Sequence, residues 1–191
     1  MKKKTLLIAL CAIVLAVLTA ASVTVAWLTA QTNPVTNTFS IGNINITLTE
    51  SDNTYKVIPG GTDAKDPKVT VVETSEPCYV YVLVENNLVI GDTVVGTPNI
   101  GSEWIPVKTV GAKTLYRYNT VVDARTAEKV LPVFTEVNYD GAAITSQNIA
   151  SLENKTIVID AFAHQADNLA TTEDAAIAFA NEEAIKHFTL N

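Results

Sequence analysis

Residues 78–85 read CYVYVLVE, seven consecutive apolar side chains rich in β-branched and aromatic types. A strand of this kind suits the middle of a sheet covered on both faces, because neither of its alternating rows belongs in water. Just before it, Lys68 to Glu73 (KVTVVE) reads as a second strand, set off by Thr74 to Pro77. Further upstream, Ile44, Ile46 and Leu48 alternate strictly with Asn45, Thr47 and Thr49, the pattern of a strand with one buried face. Gly42-Asn43 interrupts its start as a bulge or tight turn. Pro59, Gly60 and Gly61 make a sharp turn, and Asp63 to Pro67 a polar loop.

Downstream, Asn86 to Ser102 holds Gly91, Gly96, Pro98 and Gly101 and reads as a loop with an edge strand at Thr93 to Val95. Trp104 to Val107, Thr114 to Val122, Val130 to Phe134 and Thr156 to Ala163 are further strands, with Gly111 turning the chain before Leu115. Ser146 to Leu152 reads as a short helix and Thr172 to Phe188 as a longer one. In the second, Thr171 or Thr172 caps the start, with Thr171 and Asp174 at capping-box spacing. Glu173 and Asp174 favour the positive end of its dipole, and Lys186 and His187 the negative end. Ala176, Ile177, Ala180, Ala184, Ile185 and Phe188 recur at three- and four-residue steps, so one face packs on the sheet. Many short strands with one terminal helix predict a mostly β protein, an antiparallel β-sandwich with a C-terminal helix. No fixed-period repeat is present.

The first thirty residues govern destination. Lys2, Lys3 and Lys4 precede an uncharged run from Thr5 to Leu28, the layout of a signal helix for export. The run is also long enough to span a bilayer, which leaves an uncleaved anchor as the other reading. Thr24 and Ala26 stand at the −3 and −1 positions of a small-residue cleavage site, so the cut is expected between Ala26 and Trp27, with Ala20 to Ser22 as the other candidate. Residues 1–26 are then a signal peptide, 27–38 an extended N-terminal segment containing Pro34, and 39–191 one domain. Removing the three lysines leaves 10 basic against 20 acidic residues, a net charge of −10. That balance excludes a basic face for nucleic acid, and it leaves a membrane role only to the uncleaved signal. Cys11 leaves with the signal, so Cys78 has no internal disulfide partner, and its apolar setting predicts a buried, inert thiol.

Several stretches resemble the TasA and camelysin (CalY) family. They are Ala26-Trp27-Leu28-Thr29; Thr38 to Leu48 (TFSIGNINITL); Ile58 to Gly61 through Asp66-Pro67-Lys68-Val69, leading into Tyr79 to Val84; and Ile159 to Asp167 (IDAFAHQAD) with the acidic, Ala-rich helix after it. Asn86 to Asn154 carries no such signature. The resemblance implies a precursor cut by a SipW-type signal peptidase and a jelly-roll-like sandwich. It further implies assembly into extracellular fibres of the biofilm matrix or cell surface, with self as the main partner, other matrix proteins as further ones, and no cofactor. In such fibres the freed segment is a donor strand laid into the next subunit. Trp27 and Leu28, with Phe39 and Ile41, are the assembly residues this implies. The physics agrees: Trp27 and Leu28 form an apolar tip on a polar tether, and an extended segment added to an open sheet edge gains main-chain bonds while burying them. The competing reading is that the tip packs on its own sandwich.

Camelysin has been described as a protease, so the resemblance also raises a metalloprotease reading. H-E-x-x-H and G-x-S-x-G are absent, and the two histidines, His164 and His187, lie on separate elements. The acidic loops Glu50 to Asp52 and Asp63 to Asp66 lack an EF-hand pattern and read as solvated loop acids. No catalytic, metal or cofactor residue is assigned. The rival function is a surface adhesin binding glycan or protein through the loops between Asn86 and Gly111. Against it, the chain shows no sorting signal, no second hydrophobic segment and no repeat modules.

Overall fold

The computed structural model describes Lys3 and residues 43–52, 54 and 56–190. Apart from Lys3, the expected signal helix lies outside these residues, and so does the whole segment from Trp27 to Ile41. The chain is mostly β, with antiparallel sheets that curl around a shared core. In chain order the elements are β1 (Ile46–Thr49), β2 (Thr62–Ala64), β3 (Lys68–Val71), β4 (Ser75–Asn86), β5 (Val89–Ile90), β6 (Thr93–Val94), β7 (Gly96–Pro98), β8 (Trp104–Val110), β9 (Lys113–Tyr118), β10 (Val122–Ala124), β11 (Lys129–Pro132), β12 (Glu136–Tyr139), a 3-10 turn (Ile149–Leu152), β13 (Ile157–Gln165) and helix α1 (Glu173–His187).

The first sheet is built on β4. One of its edges takes all of β13; the other takes β9 and then, beyond a break, β10, and β8 pairs with β9 outside. In the second sheet β3 lies between β1 and β11, and β12 between β2 and β7. These two groups of strands are one continuous ribbon. Thr62 faces Asn138 and Lys68 faces Pro132 in the same register, and the Lys65 N–H to Thr135 carbonyl and Val133 N–H to Pro67 carbonyl bonds, both 2.8 Å, fill the gap between. Asp63 and Ala64, the start of the loop expected from Asp63 to Pro67, therefore belong with Thr62 to a strand: main-chain pairing to β12 holds them, not side-chain character. The turn before them is as expected, closed by a 2.8 Å bond from Gly61 N–H to the Ile58 carbonyl. Gly60 sits there at φ +71°, with Gly141 so close that a Cβ on Gly141 would lie 2.9 Å from Gly60 backbone.

The two rows of β4 serve two cores. Cys78, Val80, Val82 and Val84 point between the sheets with Val69, Val71, Leu131, Val133 and Val137. Tyr79, Tyr81 and Leu83 point outward, and α1 covers them with Ala176, Ala180 and Ala184. Small alanines let the helix approach the sheet closely, and the Tyr81 hydroxyl donates to Asn181 Oδ1 at 2.9 Å. The residue that caps α1 is Thr172, not Thr171: its hydroxyl accepts from the Ala175 N–H at 3.3 Å. Between Asn86 and Ser102 there are three short strands, β5 to β7, rather than one. The expected strand Thr114 to Val122 breaks into β9 and β10, which share one edge of β4 across a register shift. Ser146 to Leu152 yields only a 3-10 turn, whose N-cap residue Asn148 makes no side-chain cap bond. Among the described residues no helix is long and apolar enough to cross a membrane.

Candidate assembly surface

The curl of the two sheets is closed along one side and open along the other. On the closed side the chain passes from β7 to β8, and bonds from Asn99 N–H to the Glu136 carbonyl and from Gly101 N–H to the Val133 carbonyl, 3.0 and 2.9 Å, bind the connection to the second sheet. Trp104 completes it: the indole Nε1–H, on the first sheet, donates to the Pro132 carbonyl of the second at 2.7 Å. On the open side β1 and β13 lie within 8 Å between Cα atoms, yet no ladder joins them. The core shows through this seam. Leu48, Val69 and Leu131 form one inward row across the second sheet, and their exposures are 37%, 0% and 5%. The inward row of β13 is likewise only half-covered at Ile159, Ala161 and Ala163, whereas that of β4 is buried.

Outer strands differ in how they resist pairing with another chain. β8 carries Pro106 and Lys108 with a register shift between them, and β7 is three residues long and ends in Pro98. β13 has neither proline nor lysine, and its nine residues keep one register from Ile157 opposite Asn86 to Gln165 opposite Cys78. The Thr156 carbonyl accepts from Asn87 and the Ala166 N–H donates to Pro77, so the even-numbered residues of β13 turn their main-chain groups to β4. By alternation, those of Ile157, Ile159, Ala161, Ala163 and Gln165 point into the seam. No strand among the described residues pairs with that edge.

The residues singled out for cleavage and assembly, Ala26, Trp27, Leu28, Phe39 and Ile41, all lie outside the described residues. Asn43, just after them, enters the body beside β4, its carbonyl accepting from Glu76 N–H at 3.0 Å. That is the end of the seam where β13 finishes. The seam itself escapes sequence reading because the neighbours of a strand are set by distant pairings; the one local signal is a proline-free, lysine-free strand, TIVIDAFA.

The two histidines share a neighbour. His187 stacks on Phe162 at 4.3 Å and His164 lies 6.3 Å from the same ring, on the helix side of β13. The Cys78 thiol is buried in the core, which pushes its pKa up to about 11, so no thiolate is available at neutral pH. The acidic loops are drawn together as a structural knot. Lys65, itself buried, donates from Nζ to the carbonyls of Thr54 and Asp52, the latter at 3.0 Å, and Ser51 gives both its N–H and its hydroxyl to Asp66 at 2.8 and 2.6 Å. An ammonium thus occupies the ground between the two acidic loops. The Ser51 bonds hold the Asp66 pKa down at about 2. A depressed carboxyl stabilises the fold above its unfolded pKa of ~3.9, and that contribution fades as pH falls through about 2. Carboxyl-resolved NMR titration should place the Asp66 midpoint near 2; a midpoint near the ordinary 3.8 would mean that the Ser51 bonds do not form in solution.

A cleft of about 550 Å³ lies at one end of the core, lined by Thr54, Val57, Leu88, Ile149, Leu152 and the 153–157 segment. Its lining includes Thr54, Glu153, Lys155 and Thr156 and, among the described residues, no histidine or cysteine. No family model, curated protein or solved structure matches this chain.

Proposed function

We propose that this chain is an exported structural subunit, cut after Ala26 by a SipW-type signal peptidase, whose freed segment 27–38 adds as a strand to the seam of the next copy. Repeated head to tail, the contact does not close and produces extracellular fibres of a biofilm matrix or cell surface. The observation that carries this reading is β13: nine unbulged residues with one edge that no strand among the described residues pairs, and a half-covered apolar row.

The donor is long enough for that edge, and Pro34, which has no N–H, divides it into two pairing stretches, 27–33 and 35–38. Residues 27–38 are twelve in number and carry no charged side chain, against the nine residues of β13. A neighbour's segment is free to run antiparallel to β13, the more stable ladder. Two strand spacings need ~9.6 Å, so insertion parts β1 from β13 slightly. β1 is suited to yield, being four residues long and exposed at three.

A finer description of the fold belongs with this reading. Taken around the molecule, the strands run β1, β13, β4, β9 with β10, β8, β7, β11 with β12, and β2 with β3. That cyclic order supports a jelly roll. N-terminal sequencing of the secreted protein, with size exclusion and negative-stain microscopy on the same sample, should find Trp27 first and fibres present. An intact Met1, or a compact permanent monomer, would overturn the proposal.

A further inference from the structure

The free edge of β13 is not bare. Two of its outward main-chain groups are held by side chains of the preceding residues. The Ala161 N–H donates to Asp160 Oδ1 at 2.8 Å, and His164 Nδ1 lies 2.9 Å from the Gln165 carbonyl. Both side chains belong to the row that faces α1 and reach around the strand to do this. From the resulting geometry we infer that Asp160 is a latch on the acceptor edge, which an incoming strand of a second copy must displace before it can pair. The inference rests on the strand-addition reading.

The Ala161 N–H sits midway along the nine residues, so an added strand that skips it loses a central ladder bond. An incoming carbonyl needs the same hydrogen that Asp160 Oδ1 accepts, and the two acceptors compete for it. Asp160 is exposed, so its carboxylate can move into water once displaced. The donor segment offers no cationic side chain to receive it. A carboxylate parked on an edge also discourages edge-to-edge pairing between finished domains, which only main-chain bonds would otherwise drive. The latch therefore delays addition and favours a donor with enough apolar surface to pay for the exchange. His164 acts on the last outward carbonyl, where a shortfall costs the ladder less.

The test compares chains beginning at Trp27. Asp160→Ala removes the acceptor from an exposed position, and thermal unfolding close to that of the parent shows that the fold is kept. Light scattering should show its polymerisation accelerated about three- to tenfold, ten corresponding to ~1.4 kcal/mol. Asp160→Asn keeps an Oδ1 acceptor and should polymerise at close to the parent rate. If Asp160→Ala polymerises no faster than the parent, the latch is overturned and strand addition stands. Equal acceleration by Asp160→Asn would make charge the cause and overturn it too. If none of these chains polymerises, strand addition fails, and the latch with it.

Discussion

A chain that begins at Thr38 should stay monomeric under conditions in which the chain beginning at Trp27 is expected to form fibres. The difference is large because the deleted residues supply most of the expected contact. Fully burying Trp27 and Leu28 gains roughly 2 to 3 kcal/mol each, and about 4 kcal/mol in total is near a thousandfold in association. Main-chain bonds along β13 add direction and register more than net energy, since each replaces a bond to water. The critical concentration for assembly should therefore rise by at least two orders of magnitude in the truncated protein. Electron microscopy and sedimentation read this directly, and equal fibre formation by both chains would sink the proposal. Trp27→Ala in the longer chain should fall between the two.

Trp104→Ala should destabilise the folded subunit by about 3 to 5 kcal/mol, measured by urea unfolding. The ring is 4% exposed, meets Tyr118 edge-on at 5.2 Å, and donates its indole hydrogen across the closed side to Pro132. Its loss removes a large apolar contact and leaves the Pro132 carbonyl without that donor. Trp104→Phe keeps much of the ring surface and should cost less, about 1 to 2 kcal/mol. Val158→Ala, at the exposed start of the β13 row that faces α1, provides the contrast at within about 0.5 kcal/mol. A loss below about 1 kcal/mol for Trp104→Ala would mean that the two sheets are not held through this residue.

What could be read from the sequence follows how local each cause is. β4 is legible because every residue from Cys78 to Val84 is apolar, and both faces are in fact covered. α1 is legible from its caps and charge order. β12 is not, because Glu136 to Tyr139 has only Val137 and Tyr139 to offer and is a strand by virtue of lying between β2 and β7. β2 fails for the same reason. Leu48 follows the alternation that predicts burial and points inward, yet stays 37% exposed because, among the described residues, no strand pairs with the outer edge of β1. Which edges are free depends on pairings as distant as β4 with β13, and no spacing rule reaches that far. The residues proposed for assembly came from the uncharged N-terminal stretch; the surface proposed to receive them needed the coordinates.

The helix resting on the outer row of β4 carries one more implication. Amyloid forms when flat sheets stack face to face about 10 Å apart with interdigitated side chains. Here α1 already covers Tyr79, Tyr81 and Leu83, so the middle of the first sheet's outer face is not free for stacking. Fibres of this subunit would be strings of folded beads, melting at the temperature of the bead and lacking the sharp 10 Å equatorial reflection of cross-β material.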